Sequence, residues 1–69
     1  KKKLYSLKLT IGNVIEGDVL MVDNKKIGTI VSIANSNIFA ALNINFVNDL
    51  RKSNQSLVIN DTLAFDFLN

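Results

Sequence analysis

Two apolar runs joined by a short polar turn constrain the fold of this chain more than any other feature. The runs lie within residues 16–33, and the turn between them is Asp23-Asn24-Lys25-Lys26. Small polar residues tolerate the backbone angles of a tight turn, while Val, Ile and Thr favour the half-buried setting of a pleated sheet. This stretch therefore predicts a β-hairpin.

Alternation of apolar and polar residues predicts how the first strands face the core. Residues 19–22 are a continuous apolar run typical of a strand covered on both faces, and Gly28 indicates a bulge or a close backbone approach in the second arm of the hairpin, residues 26–34. In residues 4–11 the predicted buried face holds Tyr5, Leu7, Leu9 and Ile11. In the second arm of the hairpin the alternation predicts that Ile27, Thr29, Val31 and Ile33 share one face.

The second half of the chain adds three more predicted strands. Residues 38–46 alternate as a strand, residues 47–53 form one short helical turn, and residues 57–59 and 63–67 form a closing hairpin around residues 60–62. Six short strands without proline are typical of a small antiparallel barrel, and closure removes exposed strand edges. We predict an all-β fold: one six-stranded antiparallel β-barrel domain over residues 1–69.

The composition excludes most catalytic chemistries. The chain has 69 residues, with no Cys and no His, so it has no thiol nucleophile, no imidazole base and no usual zinc ligands. Only lysines and carboxylates are available as a base for its serines, and none lies at a recognisable catalytic spacing. We therefore expect no enzyme activity from this chain by itself. No apolar run reaches the roughly 20 residues that a membrane-spanning helix needs.

Positive charge is concentrated at the start of the chain. The formal net charge is +2, and without Lys1, Lys2 and Lys3 it becomes 2 − 3 = −1, so the rest of the chain is nearly neutral. This distribution predicts no basic face of the kind that nucleic-acid-binding domains present. The lysine run leads straight into a strand, and the chain starts without Met. We expect a C-terminal fragment of a larger protein, with the lysines as a solvated linker end.

Three residues are candidates for contact with a ligand or partner. Phe39 shares a strand face with Asn43 and Asn45 and is the best candidate for an exposed aromatic ring, whereas the other four aromatic residues are predicted to lie in the core. Arg51 and Lys52 could bind a phosphate or carboxylate, although charges at the end of a short helical turn are usually just exposed. The aromatic residues predicted in the core are Tyr5, Phe46, Phe65 and Phe67.

Two other patterns have structural explanations. Glu16 and Asp18 form a carboxylate pair that indicates a turn, because no third metal ligand lies near them in sequence. The glycines at positions 12, 17 and 28 match neither of the glycine-rich phosphate-binding motifs.

The order of motifs resembles a known family. Residues 16–19 (Glu-Gly-Asp-Val), 25–32 (Lys-Lys-Ile-Gly-Thr-Ile-Val-Ser) and 39–42 (Phe-Ala-Ala-Leu) resemble the C-terminal β-barrel of the YgfZ/GcvT-like folate-binding family. The final Phe-Asp-Phe of residues 65–67 fits the closing strand of that barrel, and Val31 stands where the family often has Thr. The resemblance spans roughly residues 12–67.

The resemblance implies a YgfZ-like protein that serves iron–sulfur cluster assembly or repair and tRNA modification in the cytoplasm, or in mitochondria if the source is eukaryotic. It implies tetrahydrofolate in the parent protein, a preceding folate-binding domain as the main partner, and iron–sulfur enzymes as further partners. The family's reactive Lys-Gly-Cys-like segment is absent from this chain, so no functional residue is carried over. The barrel is expected to wall the folate cavity and to hold no cofactor itself.

Three alternatives remain open from the sequence. The first is a stand-alone nucleic-acid-binding barrel that uses a set of four basic residues and one aromatic residue. The second is the C-terminal barrel of a glycine-cleavage aminomethyltransferase, although that barrel is usually longer. The third is an interaction module for another protein subunit. The nucleic-acid set consists of Lys8, Lys25, Lys26, Arg51 and Phe39.

Overall fold

A computed structural model describes residues 1–54, 56–59 and 62–68 of the chain, and in these ranges it has six strands and one helix. All strand pairs are antiparallel, in the order β2-β3-β4-β1-β6-β5, and the end strands β2 and β5 touch, so the sheet forms a nearly closed barrel. The predicted six-stranded barrel is confirmed. The elements are β1 (Lys2–Ile11), β2 (Val19–Val22), β3 (Lys25–Ala34), β4 (Asn37–Asn43), α1 (Ile44–Lys52), β5 (Leu57–Ile59) and β6 (Leu63–Phe67).

The predicted central hairpin is confirmed, with a turn of two residues. Asp23 and Asn24 both have positive φ angles, 52° and 64°, and Val22 pairs with Lys25 across the turn. Positive φ at both central positions matches the right-handed twist of the flanking strands. Lys25, which the sequence placed in the turn, is the first residue of β3.

β-Bulges place two residues of the predicted apolar faces, Ile11 and Val31, on the surface. The pairing of β3 with β4 shifts between Ile30 and Ser32, so that Ile30 is buried and Val31 is 52 % exposed. The pairing of β1 with β6 shifts between Leu9 and Ile11, and Ile11 is 59 % exposed. The predicted burial of Ile11 was wrong because an extra residue in β1 reverses the side-chain alternation beyond it. Val31 does not share the inner face with Ile27 and Ile33 because it is itself the extra residue in β3.

Strand β2 is covered on one face only. Leu20 is buried, whereas Val19 and Met21 are exposed, so the predicted coverage of both faces was wrong. A third shift in register lies opposite, where Leu20 pairs with Gly28 and Met21 pairs with Lys26. Thr29 pairs with Val19 on the outer side of the sheet, so it does not share the inner face with Ile27 and Ile33 as the alternation predicted.

The predicted strand at residues 38–46 ends early, and a helix replaces its last part. Asn43 caps this helix, because its side-chain oxygen accepts a hydrogen bond of 3.0 Å from the backbone N–H of Phe46. The N–H of Ile44 donates to the carbonyl oxygen of Lys1 at 3.1 Å, and Val47 is fully buried. Residues 44–46 were thus wrongly assigned to a strand, and the predicted helical turn is part of a nine-residue helix that begins at Ile44.

We expect Asn43→Ala to lower the free energy of unfolding by about 1 kcal/mol, because it leaves the N–H of Phe46 without its capping acceptor. Urea unfolding followed by circular dichroism measures the effect. Asn45→Ala is the matched control, since Asn45 is exposed within the helix. Equal losses from the two substitutions would contradict the assignment of Asn43 as the cap.

The core fills the barrel interior and extends under α1. Tyr5 and Phe65 are buried as predicted, while Phe46 and Phe67 are half-buried and pack against the core. Among the described residues no polar or charged side chain is buried. None of the described segments forms a helix with the length and apolarity that a bilayer crossing requires.

Candidate functional site

The outer surface of the sheet carries a row of side chains that crosses four strands. Val19 pairs with Thr29, Thr29 with Ala41, and Ala41 with Leu4, so these residues lie side by side on β2, β3, β4 and β1. Their strand neighbours Leu20, Ala40 and Tyr5 point into the core. Val19 and Leu4 are each about half exposed. Four strands about 4.8 Å apart make this row roughly 15 Å long.

A second row runs beside the first and contains Phe39. Ser32 pairs with Phe39, Phe39 pairs with Ser6, and the N–H of Leu68 donates to the carbonyl of Ser6 at 2.8 Å. The bulge at Val31 adds its exposed side chain to this row. Phe39 is half-buried between its neighbours. We call the two rows together the outer strip; its apolar members are Leu4, Val19, Val31, Phe39, Ala41 and Leu68.

Lysines border the outer strip. Lys2 and Lys8 lie on the same face of β1 as Leu4, one at each end of the strip, and Lys26 lies on β3 opposite Met21. Asp66 pairs with Lys8 across the strands, so one acidic residue lies beside this lysine. The border of the strip is therefore positive at the β1 start and at the β2–β3 hairpin.

A separate cluster of aromatic and basic side chains closes the barrel end under α1. The guanidinium carbon of Arg51 lies 5.0 Å from the ring centre of Phe67 and 5.6 Å from that of Tyr5. The ammonium of Lys3 lies 5.6 Å from the same Tyr5 ring, and the two rings meet edge to face at 6.0 Å. Cations this close to ring centres gain about 0.5–2 kcal/mol each from the ring quadrupole.

Sequence reasoning missed this cluster because its members are far apart in the chain. From the sequence, residues 1–3 were predicted to be a linker, whereas Lys2 and Lys3 belong to β1. The Lys3 ammonium and the Arg51 guanidinium both contact the Tyr5 ring. No spacing rule joins residues 3, 5, 51 and 67 before the strand pairing is known. Tyr5 is only 3 % exposed, so its ring packs beneath the cations and offers no surface for base stacking.

The three residues singled out from the sequence do not form one site. Phe39 lies in the outer strip, while Arg51 lies over Tyr5, whose side chain points into the barrel from the opposite face of the sheet. Lys52 is exposed in the last turn of α1, where its positive charge interacts favourably with the negative end of the helix dipole. The structure therefore divides them between the strip, the barrel end and the helix terminus.

The basic residues of the nucleic-acid alternative are also dispersed. Lys8 pairs with Asn37 at the start of β4, whereas Gly28 pairs with Leu42 near its end and Lys26 lies farther along. The five-residue step from Asn37 to Leu42 alone spans about 17 Å at roughly 3.3 Å per residue. These lysines do not form a continuous basic surface with Arg51.

Glu16 and Asp18 hold the backbone of the β1–β2 loop. A Glu16 carboxylate oxygen accepts from the N–H of Ile33 at 3.0 Å, and one of Asp18 accepts from the N–H of Ile15 at 2.9 Å. The N–H of Gly17 donates to the carbonyl of Ile30 at 2.8 Å. The predicted turn is confirmed. In the described ranges no three metal-binding side chains cluster.

Comparison with known proteins gives no match to a family profile, to a characterised protein or to a solved structure.

Proposed function

We propose that this barrel is a non-catalytic module that packs against a folate-binding domain through the outer strip. The supporting observation is the outer strip itself, in which apolar side chains from four strands face solvent in two adjacent rows. Removing apolar surface from water gains roughly 25 cal/mol per Å². Exposed apolar rows of this kind mark a surface that another folded unit covers.

The lysine border indicates the charge of the partner surface. Lys2, Lys8 and Lys26 surround the strip, with Asp66 as the acid beside Lys8. A partner with an apolar centre and an acidic border complements this pattern. In this proposal the occupant is a different domain, not another copy of this barrel.

The resemblance to the YgfZ/GcvT-like family suggests which domain this is. In this proposal the partner is the family's folate-binding domain, which holds tetrahydrofolate, and the barrel supplies part of the cavity wall. The parent protein then serves iron–sulfur cluster assembly or repair and tRNA modification, with iron–sulfur enzymes as partners, in the cytoplasm or the mitochondria. In this proposal the barrel forms part of the cavity wall and supplies no reactive group, since the chain has no Cys and no His.

Calorimetric titration with a YgfZ-type folate-binding domain, supplied as a separate chain, tests the proposal. We expect saturable binding that Val31→Lys weakens at least tenfold, because a charge then enters the apolar strip. Val58→Lys is the matched control: Val58 is 50 % exposed on β5, outside the strip. Both variants are expected to unfold at the same urea concentration as the parent chain.

Three results would overturn this proposal. The first is the absence of binding to the folate-binding domain, and the second is an equal loss of binding affinity in the Val31→Lys and Val58→Lys variants. The third is tight, localised binding of tetrahydrofolate by the isolated barrel, which would contradict the proposal that only the partner domain binds folate. Preference for an aminomethyltransferase domain, or RNA binding with a steep salt dependence, would instead favour one of the alternative functions.

A further inference from the structure

A cleft of about 260 Å³ opens at the end of the barrel opposite α1. Its walls come from the end of β1, the β1–β2 loop and the β3–β4 hairpin. The apolar part of the lining consists of Leu9, Val14, Ile33 and Ile38. Three of these side chains are half-buried against the core and Ile38 is fully buried, so the cleft floor is continuous with the barrel interior.

Neutral polar groups form the rim of the cleft. They are the side chains of Asn13, Asn35 and Ser36. Within the described ranges these side chains make no hydrogen bond to another residue. Each Asn amide offers two donors and an acceptor, and the Ser hydroxyl offers one donor and an acceptor. An apolar floor with a few neutral hydrogen-bonding groups is the usual composition of a small-molecule site.

Contacts at its start and at its end hold the β1–β2 loop, which forms one wall of the cleft, in place. At its start, a Cβ on Gly12 would collide with the carbonyl of Thr62 and with Leu63, so the loop lies directly against the β5–β6 hairpin. At the end of the loop, a Glu16 carboxylate oxygen accepts a hydrogen bond from the backbone N–H of Ile33. The backbone N–H of Gly17 donates to the carbonyl oxygen of Ile30. The wall is held in place before any ligand arrives, which reduces the entropic cost of binding.

The lining also limits the charge of a ligand. None of the residues that line the cleft is charged, and the carboxylate of Glu16 accepts a hydrogen bond from the backbone N–H of the lining residue Ile33. A bound anion would lose its hydration without gaining a counter-charge and would lie near this carboxylate. The cleft therefore disfavours anions.

We infer that this cleft binds a small neutral molecule with an apolar body and an amide-type polar group. The cleft is slightly smaller than the pockets that hold drug-sized ligands, roughly 300–1,000 Å³, so we expect a small ligand of about ten non-hydrogen atoms. The apolar body lies on Leu9 and Ile38, and the amide meets Asn35 and Ser36 at the rim. This site is separate from the outer strip and does not depend on the proposed partner domain.

Benzamide, titrated into the ¹⁵N-labelled chain and followed by amide chemical shifts, tests the inference. We expect saturable shifts around residues 9, 13, 35, 36 and 38, with millimolar affinity, and at least tenfold weaker binding of benzoate, its charged analogue. Val14→Trp, which fills the cleft from the loop side, should remove the shifts while leaving the remaining spectrum dispersed.

A pair of glycine substitutions separates the amide contact from any effect on turn structure. Asn35 and Asn24 have similar positive φ angles, 57° and 64°, and both lie in two-residue hairpin turns. Asn35→Gly should weaken benzamide binding about three- to tenfold through the loss of a hydrogen-bonding side chain, whereas Asn24→Gly should leave it unchanged. Absence of shifts at the solubility limit, equal binding of benzoate, or tighter binding of benzamidine would overturn the inference.

Discussion

Replacing Phe65 by Ala is expected to lower the free energy of unfolding by about 3–5 kcal/mol, because a large buried ring is lost and a cavity remains. Phe65 is fully buried on β6, where it pairs with Leu9 on one side and Leu57 on the other. A domain of this length has a total stability of about 3–10 kcal/mol. A substantial fraction of the variant should therefore be unfolded in water.

Urea unfolding, followed by circular dichroism, measures this loss. Val58→Ala is the control, because Val58 lies on the neighbouring strand β5 but is 50 % exposed. We expect Val58→Ala to lower the free energy of unfolding by less than about 1 kcal/mol. A Phe65→Ala variant that unfolds within 1 kcal/mol of the parent chain would contradict the assignment of this ring to the centre of the core.

Replacing Gly28 by Ala is expected to cost about 3 kcal/mol or more, since overpacking against atoms that cannot move strains the surrounding backbone. An added Cβ would collide with the carbonyl oxygen of Ala41 and with Leu42. Both neighbours belong to β4, which is paired on its two sides by β1 and β3. The backbone there has little freedom to shift. The predicted close approach at Gly28 is thus confirmed.

Gly17→Ala is the control that distinguishes a collision from an unfavourable backbone angle. Gly17 has a φ of 92° but has open space where a Cβ would lie. Its substitution should cost about 1–2 kcal/mol from the left-handed conformation alone. Urea midpoints of the two variants are compared. A cost for Gly28→Ala no larger than that for Gly17→Ala would show that the β3–β4 approach is looser than described.

Local patterns were sufficient to predict the strands and their hairpins. The strand limits at Leu57–Ile59 and Leu63–Phe67 agree with the prediction, and Asp23 and Asn24 form the expected turn. The predicted centre of the closing turn, residues 60 and 61, lies outside the described residues. Alternation within a strand is a local property, so it is readable before any long-range contact is known.

The errors came from features that only the paired strands reveal. A bulge depends on the register of two strands, and no local signal marked the extra residue at Val31. Asn43 looked like a polar member of an alternating strand, and its capping role depends on the chain turning into α1. Long-range pairing likewise assembles the outer strip and the cluster of Lys3, Tyr5 and Arg51.

Phe39 shows how much of the candidate site was predictable. Its outward orientation followed from alternation with Ile38 and Ala40, both of which are buried. What the sequence could not supply was its neighbours: Ser6 from β1, and Ser32 and the bulged Val31 from β3. A single exposed aromatic residue is common on protein surfaces, and the rows around it are what make this face a candidate for docking.

The most direct test of the central claim is to map the contact surface on the barrel residue by residue. The ¹⁵N-labelled chain is mixed with an unlabelled YgfZ-type folate-binding domain, and amide shifts and cross-saturation from the partner are recorded. We expect the transferred signal to concentrate on residues 4, 19, 29, 31, 39 and 41. A signal centred on Arg51 or on the β3–β4 hairpin, or no transferred signal at all, would contradict it.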